Sequence, residues 1–543
     1  MNVLIKLAIS MGMLSYAIFF LGILHILYPI NIGIALGTWI ICIVYISRKD
    51  LFSPRVMPDM IRHLLFYGSR IPPLRRASEC GMTSILLLLL MLQSLVNLVG
   101  VLGPELAFDA LWYHLTLPKI YLHQHAVSFI PGGLLYYSAM PKLGEMLYVI
   151  ALSLFDEIAA KGIQFAFGIF TCIALYSFAK ELLPKKFALF AVIVFYANCV
   201  VAWESTIAYI DLIRTFYEIM ALWMFVRFYK TKKLSNLLLA SVFLGFAITT
   251  KLLAVGSLFI FIILLASLRY PMKRILVVIG ILSLSLLIPL PCFVFSYVST
   301  GNPVYPFFTS LYNTHIVDVT IPFGVIGDMW SVLTRASDPV SPVYVIFLPL
   351  VIVFFKKFSK ETKIVLLYCF IALIVWCVTP RTGGGRFLLP YLPAFSLAAA
   401  AVLQAIHSKR IFYLTAVGIV FLVSLSTIVY RGIANARYLS VIVGKETKQE
   451  FLSSHLNFAF GDFYDTDGFF KKTIGPQDKV LLVGFHNLYY VDFPFIDSSW
   501  RKEGDIFRYV AVQNTPLPKE FGLWKKIYDN KKTGVVLYKK PHD

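Results

Sequence analysis

The stretch Phe108-Asp109-Ala110-Leu111-Trp112-Tyr113-His114-Leu115, running on to Pro118-Lys119, holds the densest set of side chains able to do chemistry. Asp109 and Tyr113 stand four apart, so on a helix they share a face, with Thr116 nearby. A carboxylate among apolar and aromatic neighbours is poorly solvated, which raises its proton affinity. That suits a general base taking a proton from a hydroxyl. The plainer alternative is that Asp109 caps a short helix. His114 points off that face, as an interfacial histidine with both nitrogens satisfied would.

Cations come from elsewhere in the chain. Lys251 follows Gly245-Phe246-Ala247-Ile248-Thr249-Thr250, and Arg381 and Arg386 flank Gly383-Gly384-Gly385. These side chains can hold a phosphate or diphosphate, Arg through paired donors, or they can anchor helix ends at a membrane interface. Glu204 and Asp211 offer a second acidic position or a helix cap, and Glu105 lies one helical turn before Asp109. The triple glycine lacks the strand-then-helix setting of a nucleotide loop. No His/Cys/Asp group has metal-ligand spacing, so no cofactor is expected and a divalent metal has no positive support.

These residues must be positioned by a membrane protein. The chain has 543 residues, of which 59% are hydrophobic and 14% charged, where soluble proteins carry roughly 25% charged residues. Apolar runs such as Ser84–Leu102, Ile275–Val294 and Phe412–Tyr430 are each near the ~20 residues a spanning helix needs. The net charge of +20 comes from short Lys/Arg clusters between these runs, which record orientation and exclude nucleic acid as a partner. The seven cysteines lie mostly within apolar runs and imply no disulfide framework. Val3–Ile30 reads as a retained helix, not a removed signal.

Orientation follows from the loop Ser47–Glu79, with Arg48, Lys49, Arg55, Arg62, Arg70, Arg75 and Arg76, which belongs on the cytoplasmic side. Leu143–Phe155 is short for a span and reads as a surface or re-entrant helix, which keeps the later Lys-rich turns cytoplasmic. The expected class is an all-α polytopic membrane protein of about 13 transmembrane helices, with a cytoplasmic N-terminus and a small C-terminal α/β domain outside. The spans fall near 4–27, 30–46, 81–102, 158–180, 187–203, 211–229, 235–250, 251–268, 275–296, 342–356, 363–379, 388–406 and 411–430. The expected divisions are residues 1–80 (hairpin and basic loop), 81–430 (catalytic module with a long external loop, 103–157) and 431–543 (external domain). In the last of these, Lys479–Val483, Tyr489–Ile496 and Val535–Lys539 read as strands, with a turn at Lys532-Thr533-Gly534. On this topology Glu105, Asp109, Glu204, Asp211, Arg214, Lys251, Arg381 and Arg386 gather at the external ends of helices, the pattern of a site roofed by loops.

The ordered set of pieces resembles the GT-C superfamily of membrane glycosyltransferases. The pieces are Phe108 to Lys119, Ala208-Tyr209-Ile210-Asp211-Leu212, the stretch ending at Lys251, Gly301-Asn302-Pro303-Val304-Tyr305-Pro306 and Arg386-Phe387-Leu388-Leu389-Pro390. Within it, the chain looks most like the bacterial branch related to protein O-mannosyltransferases and the lipid A aminoarabinose transferase. The resemblance covers roughly residues 81–430. It implies a bacterial inner-membrane enzyme moving a sugar from a polyprenyl-phosphate donor to a lipid, glycan or protein acceptor. It maps the base to Asp109 and the lipid phosphate to Lys251 and Arg386. Glu105, Trp112, Tyr113, His114, Lys119, Glu204, Asp211 and Arg381 are the further substrate-binding candidates, with Trp112 and Tyr113 packing against sugar or isoprenoid. The chain departs from members that carry an Asp-Glu or Asp-x-Asp pair in the first loop. The rival readings are a flippase or transporter for lipid-linked glycans, and a ligase or polymerase using a lipid diphosphate.

Overall fold

The computed structural model describes residues 2–51, 74–268, 272–310, 321–334, 339–379 and 384–541. Arg381 and the centre of the basic loop, with Arg55, Arg62 and Arg70, lie outside these residues. Among the described residues seven helices are long and apolar enough to cross a membrane: Val3–Ile23, Pro29–Arg48, Met82–Val101, Glu157–Leu182, Lys360–Val378, Leu389–Ile406 and Arg410–Ala436. One further pair, Leu276–Leu287 and Leu290–Thr300, meets the same measure with a 54° bend between its halves. Pro289 and Pro291 stand at that bend, where each removes a backbone donor. The chain is therefore a polytopic membrane protein, and among the described residues helix length and composition mark seven spans, or eight with the bent pair, of the about 13 expected. Several expected spans form as shorter or broken helices. Residues 187–203 divide into Lys185–Tyr196 and Cys199–Glu204, and 342–356 into Val343–Phe347 and Leu350–Phe354.

Leu143–Leu154 is not a surface helix. Its residues from Leu143 to Ala151 are all buried, and it packs against Asn2–Ile23, Pro29–Leu51, Thr116–Gln124 and Glu157–Leu182. Apart from Glu145 and Ser153 this helix is apolar, and such a helix seeks burial on most sides, which other helices supply here. At ~1.5 Å per residue its 12 residues fall short of the ~30 Å hydrocarbon core.

The C-terminal part is a small domain built on a mixed five-stranded sheet of order β2-β1-β3-β5-β4. The strands are β1 Val480–Val483, β2 Phe495–Asp497, β3 Tyr509–Gln513, β4 Lys525–Asn530 and β5 Val535–Lys539. β1 runs parallel to β2 and β3, while β5 is antiparallel to both β3 and β4. The expected strand at Tyr489–Ile496 is a correction: only its end enters β2. Tyr489 instead donates its backbone N–H to the carbonyl of Leu111, and the Tyr490 hydroxyl donates to the carbonyl of Glu105. Its aromatic residues dock on the loop that carries Asp109, and Pro494 interrupts the run.

Candidate active site

Asp109 precedes a single turn of π-helix, Ala110–His114, that leads into the helix Thr116–Gln124. Such turns recur at functional sites. The Asp109 carboxylate makes no capping bond to this turn. It reaches across the bundle instead, where Oδ2 accepts from Arg386 Nη1 at 2.6 Å and from the Tyr113 hydroxyl at 3.3 Å. Asp109 and Tyr113 thus meet, but the carboxylate is ion-paired and not isolated among apolar groups as its neighbours in sequence led one to expect. Thr116 takes no part, since its hydroxyl donates to the carbonyl of Leu111. Both bonds to Asp109 fall on Oδ2, and among the described residues no hydrogen bond engages Oδ1. The side chain is 15% exposed.

Buried groups fix the loop that carries Asp109. Glu105 accepts from the backbone N–H groups of Leu106 and Ala107 at 2.8 Å and from that of Ala208 at 2.6 Å, tying two loops together. Glu105 is wholly buried, and this desolvation raises its carboxyl above the usual range. Lys161 donates to the carbonyls of Gly100 and Gly103, closing the end of the preceding helix as a cation should.

A second ion pair adjoins the first. Lys251, at the end of Leu234–Thr250, donates to Asp211 Oδ1 at 2.6 Å, and Asp211 opens the partner helix of that hairpin, Asp211–Thr231. Arg386 Nε lies 4.0 Å from Asp211 Oδ2, so Asp109–Arg386–Asp211–Lys251 forms one chain of alternating charge. Among the described residues, both Arg386 Nε and Asp211 Oδ2 are buried without a hydrogen bond. Arg386 also lies over the Tyr209 ring at 4.8 Å, and the Tyr209 hydroxyl accepts from the Asp109 backbone N–H.

Arg386 and Lys251 wall a cavity of about 90 Å³ together with Tyr113, His114, Tyr137 and Glu145. Tyr113 and Tyr137 stack at 3.7 Å between ring centres. Among the described residues no three His, Cys, Asp or Glu side chains converge as a metal-holding group.

Comparisons with known proteins bear on this arrangement. The family model described as dolichyl-phosphate-mannose-protein mannosyltransferase matches residues 141–295, a segment holding Glu145, Asp211 and Lys251 but neither Asp109 nor Arg386. No curated protein sequence matches the chain. The structure is similar to that of ArnT from Cupriavidus metallidurans bound to undecaprenyl phosphate, with a TM-score of 0.56 and 13% identity, covering 84% of this chain and 98% of that one. ArnT of the same organism in the apo state gives a TM-score of 0.53 at 11% identity with the same coverage. The chain has a GT-C fold.

In this GT-C bundle the remaining sequence candidates divide. Trp112 donates its indole N–H to the carbonyl of Leu134 and packs among Phe108, Tyr137 and His486, so it joins the loop to the C-terminal domain. Lys119 is also an interdomain clamp, donating to the carbonyls of Tyr489 and Val491 and to Asp492. Glu204 is buried, with Oε2 accepting from Gln164 and Oε1 unpartnered among the described residues. Arg214 lies deeper, donating to the Tyr391 hydroxyl at 3.1 Å. Glu145 and Tyr209 were not singled out from the sequence. A lone carboxylate in an apolar run was the available signal for Glu145, whereas Tyr209 stood within the Ala208-Tyr209-Ile210-Asp211-Leu212 piece without a role of its own.

The clamp carries a prediction. Asp492 is 79% exposed, so its ion pair with Lys119 contributes little, and the two carbonyl bonds carry the contact. Lys119→Met is expected to loosen the docked segment by about 1–2 kcal/mol. Hydrogen exchange should rise at Tyr489 and Val491 with no change in the helix Glu157–Leu182. An equal rise in Asp492→Asn would assign the contact to charge instead.

Proposed function

We propose that this chain is a membrane glycosyltransferase of a bacterial inner membrane. It moves a sugar from a polyprenyl-phosphate donor to a hydroxyl of a lipid, glycan or protein acceptor on the extracytoplasmic face. The observation that carries this reading is the division of labour at Asp109. Arg386 and Tyr113 hold one carboxylate oxygen and orient the other, which is what a general base requires. The GT-C fold, the likeness to a structure solved with undecaprenyl phosphate, and the description of the matched family model support a polyprenyl-phosphate carrier.

In the reaction, Asp109 Oδ1 takes the proton of the acceptor hydroxyl as its oxygen bonds to the anomeric carbon. The bond from that carbon to the phosphate oxygen breaks, and its electron pair leaves with the polyprenyl phosphate. Lys251 and Arg386 stabilise the departing phosphate, with the Nε of Arg386 free to donate. One base and no enzymic nucleophile invert the anomeric configuration. The Lys119 clamp and the docked Tyr489–Asp492 segment make the C-terminal domain a wall of the loop, where it helps recognise the acceptor.

Mass spectrometry of surface glycolipids and glycoproteins tests this, using cells that lack the protein and cells complemented with the wild-type chain. A sugar lost on deletion and restored on complementation, with monophosphorylated carrier as co-product and inverted configuration, is expected. Accumulation of an unflipped lipid-linked sugar would indicate transport, a diphosphate co-product would indicate a ligase or polymerase, and retained configuration would overturn the displacement.

A further inference from the structure

His114 and Glu145 form a buried pair that the mechanism above does not use. His114 ends the π-turn after Asp109, and Glu145 stands in the first turn of the interior helix Leu143–Leu154. Their side chains meet at 2.8 Å, His114 Nδ1 to Glu145 Oε1, and the residues are only 2% and 5% exposed. Each keeps one buried polar atom, His114 Nε2 and Glu145 Oε2, with no hydrogen-bond partner among the described residues. Both residues line the cavity walled by Arg386 and Lys251.

Leaving two such atoms empty is costly, because a buried polar group without a partner loses its hydration and gains nothing. Other arrangements were open to the chain, since an apolar pair here would pack without that loss. The Glu145 carboxylate holds the imidazole at Nδ1 and leaves Nε2 as its free nitrogen, as an orienting acid does for a histidine. The result is one unpartnered polar atom on each residue, a carboxylate oxygen that accepts and an imidazole nitrogen whose role follows its proton. A sugar hydroxyl both donates and accepts, so it suits this pair, and the stacked Tyr113 and Tyr137 rings at the same wall offer an apolar face for the ring.

We propose that His114 and Glu145 are the subsite that reads a hydroxyl of the transferred sugar while it is still on its carrier. This rests on the donor reading above, with the phosphate end of the lipid held by Lys251 and Arg386. Phosphate and sugar are then recognised by different residues, so the carrier alone binds without the pair and only the glycosylated carrier needs it. A site built to bond a hydroxyl rejects what lacks it, because its own polar atoms are then left unpaired.

The test is competitive binding to the purified full-length chain by native mass spectrometry. The ligands are undecaprenyl phosphate and undecaprenyl phosphate carrying mannose, glucose or galactose. Wild type is expected to prefer at least one glycosylated lipid over the bare carrier. In His114→Asn, which keeps a donor toward Glu145 but removes the Nε2 position, that preference falls roughly 10- to 100-fold. Glu145→Gln lowers it similarly, and His114→Gln, whose amide reaches the Nε2 position, restores part of it. Bare-carrier binding stays at the wild-type value, which shows that the variants remain folded. Preference retained in both His114→Asn and Glu145→Gln, no preference in wild type, or an equal loss of bare-carrier binding would each overturn the subsite. If Lys251→Met and Arg386→Met bind the bare carrier as wild type does, the donor reading itself falls, and the subsite with it.

Discussion

Asp109→Asn is expected to lower sugar transfer on the order of a thousandfold while leaving the protein folded and able to bind its donor. The substitution keeps the shape of the side chain, and an amide oxygen still accepts from Arg386 and Tyr113 in place of Oδ2. What disappears is the basic oxygen, since an amide cannot hold the proton that leaves the acceptor hydroxyl. Initial rates with the sugar released in the complementation experiment, measured at matched membrane levels, read this out. Asp109→Glu should recover only part of the rate, because an added methylene moves the oxygen while Arg386 holds the original geometry. Two outcomes are informative against the assignment. Full activity in Asp109→Asn would make the residue a tether for Arg386 and move the base elsewhere in the cluster. A rate loss matched by loss of folded protein would show that the ion pair, not proton transfer, was disturbed.

The site was legible in part for physical reasons that particular residues illustrate. Asp109 stood out because an ionised group in an apolar, aromatic stretch is expensive unless it is used or paired. The glycine-flanked Arg386 stood out as a cation at a helix end. Their contact was not legible: they are 277 positions apart, and only the packed bundle brings them together. The pairing also reverses an inference from local sequence, since the apolar neighbours of Asp109 are real but its partner comes from across the bundle. The surface alternative for Leu143–Phe155 failed for a related reason. Its length excludes a full span, which left a surface or a re-entrant helix as the readings, and burial from Leu143 to Ala151 among longer helices overturns the surface one. Glu145 went unnoticed with it. Trp112 and Lys119 adjoin Asp109 in sequence yet serve the C-terminal domain, because the turn from π-helix to α-helix sends successive side chains to different partners. The strands at Val480–Val483 and Val535–Lys539 were legible from their β-branched and apolar runs, whereas Tyr489–Asp492 has strand-like composition that it spends on docking.

The second large effect concerns Lys251, whose partner Asp211 is 1% exposed. Lys251→Met leaves that carboxylate buried with Arg386 at 4.0 Å as its nearest counter-charge among the described residues. The expected cost is about 3 kcal/mol, the low end for breaking a buried pair, because Arg386 offsets part of it. Asp211→Asn added to Lys251→Met removes the orphaned charge and should recover most of that stability, leaving a deficit of about 1 kcal/mol. Denaturation of the detergent-purified single and double variants gives the coupling directly. Transfer behaves differently: it is expected to stay down ~10²–10³-fold in both variants, since the cation facing the leaving phosphate is gone in each. Stability that returns without activity separates the two roles of Lys251, because a residue that only neutralised Asp211 would bring back both together. If activity follows stability in the double variant, the phosphate must be held by Arg386 alone, and the alternating chain of charge is scaffolding for one working cation.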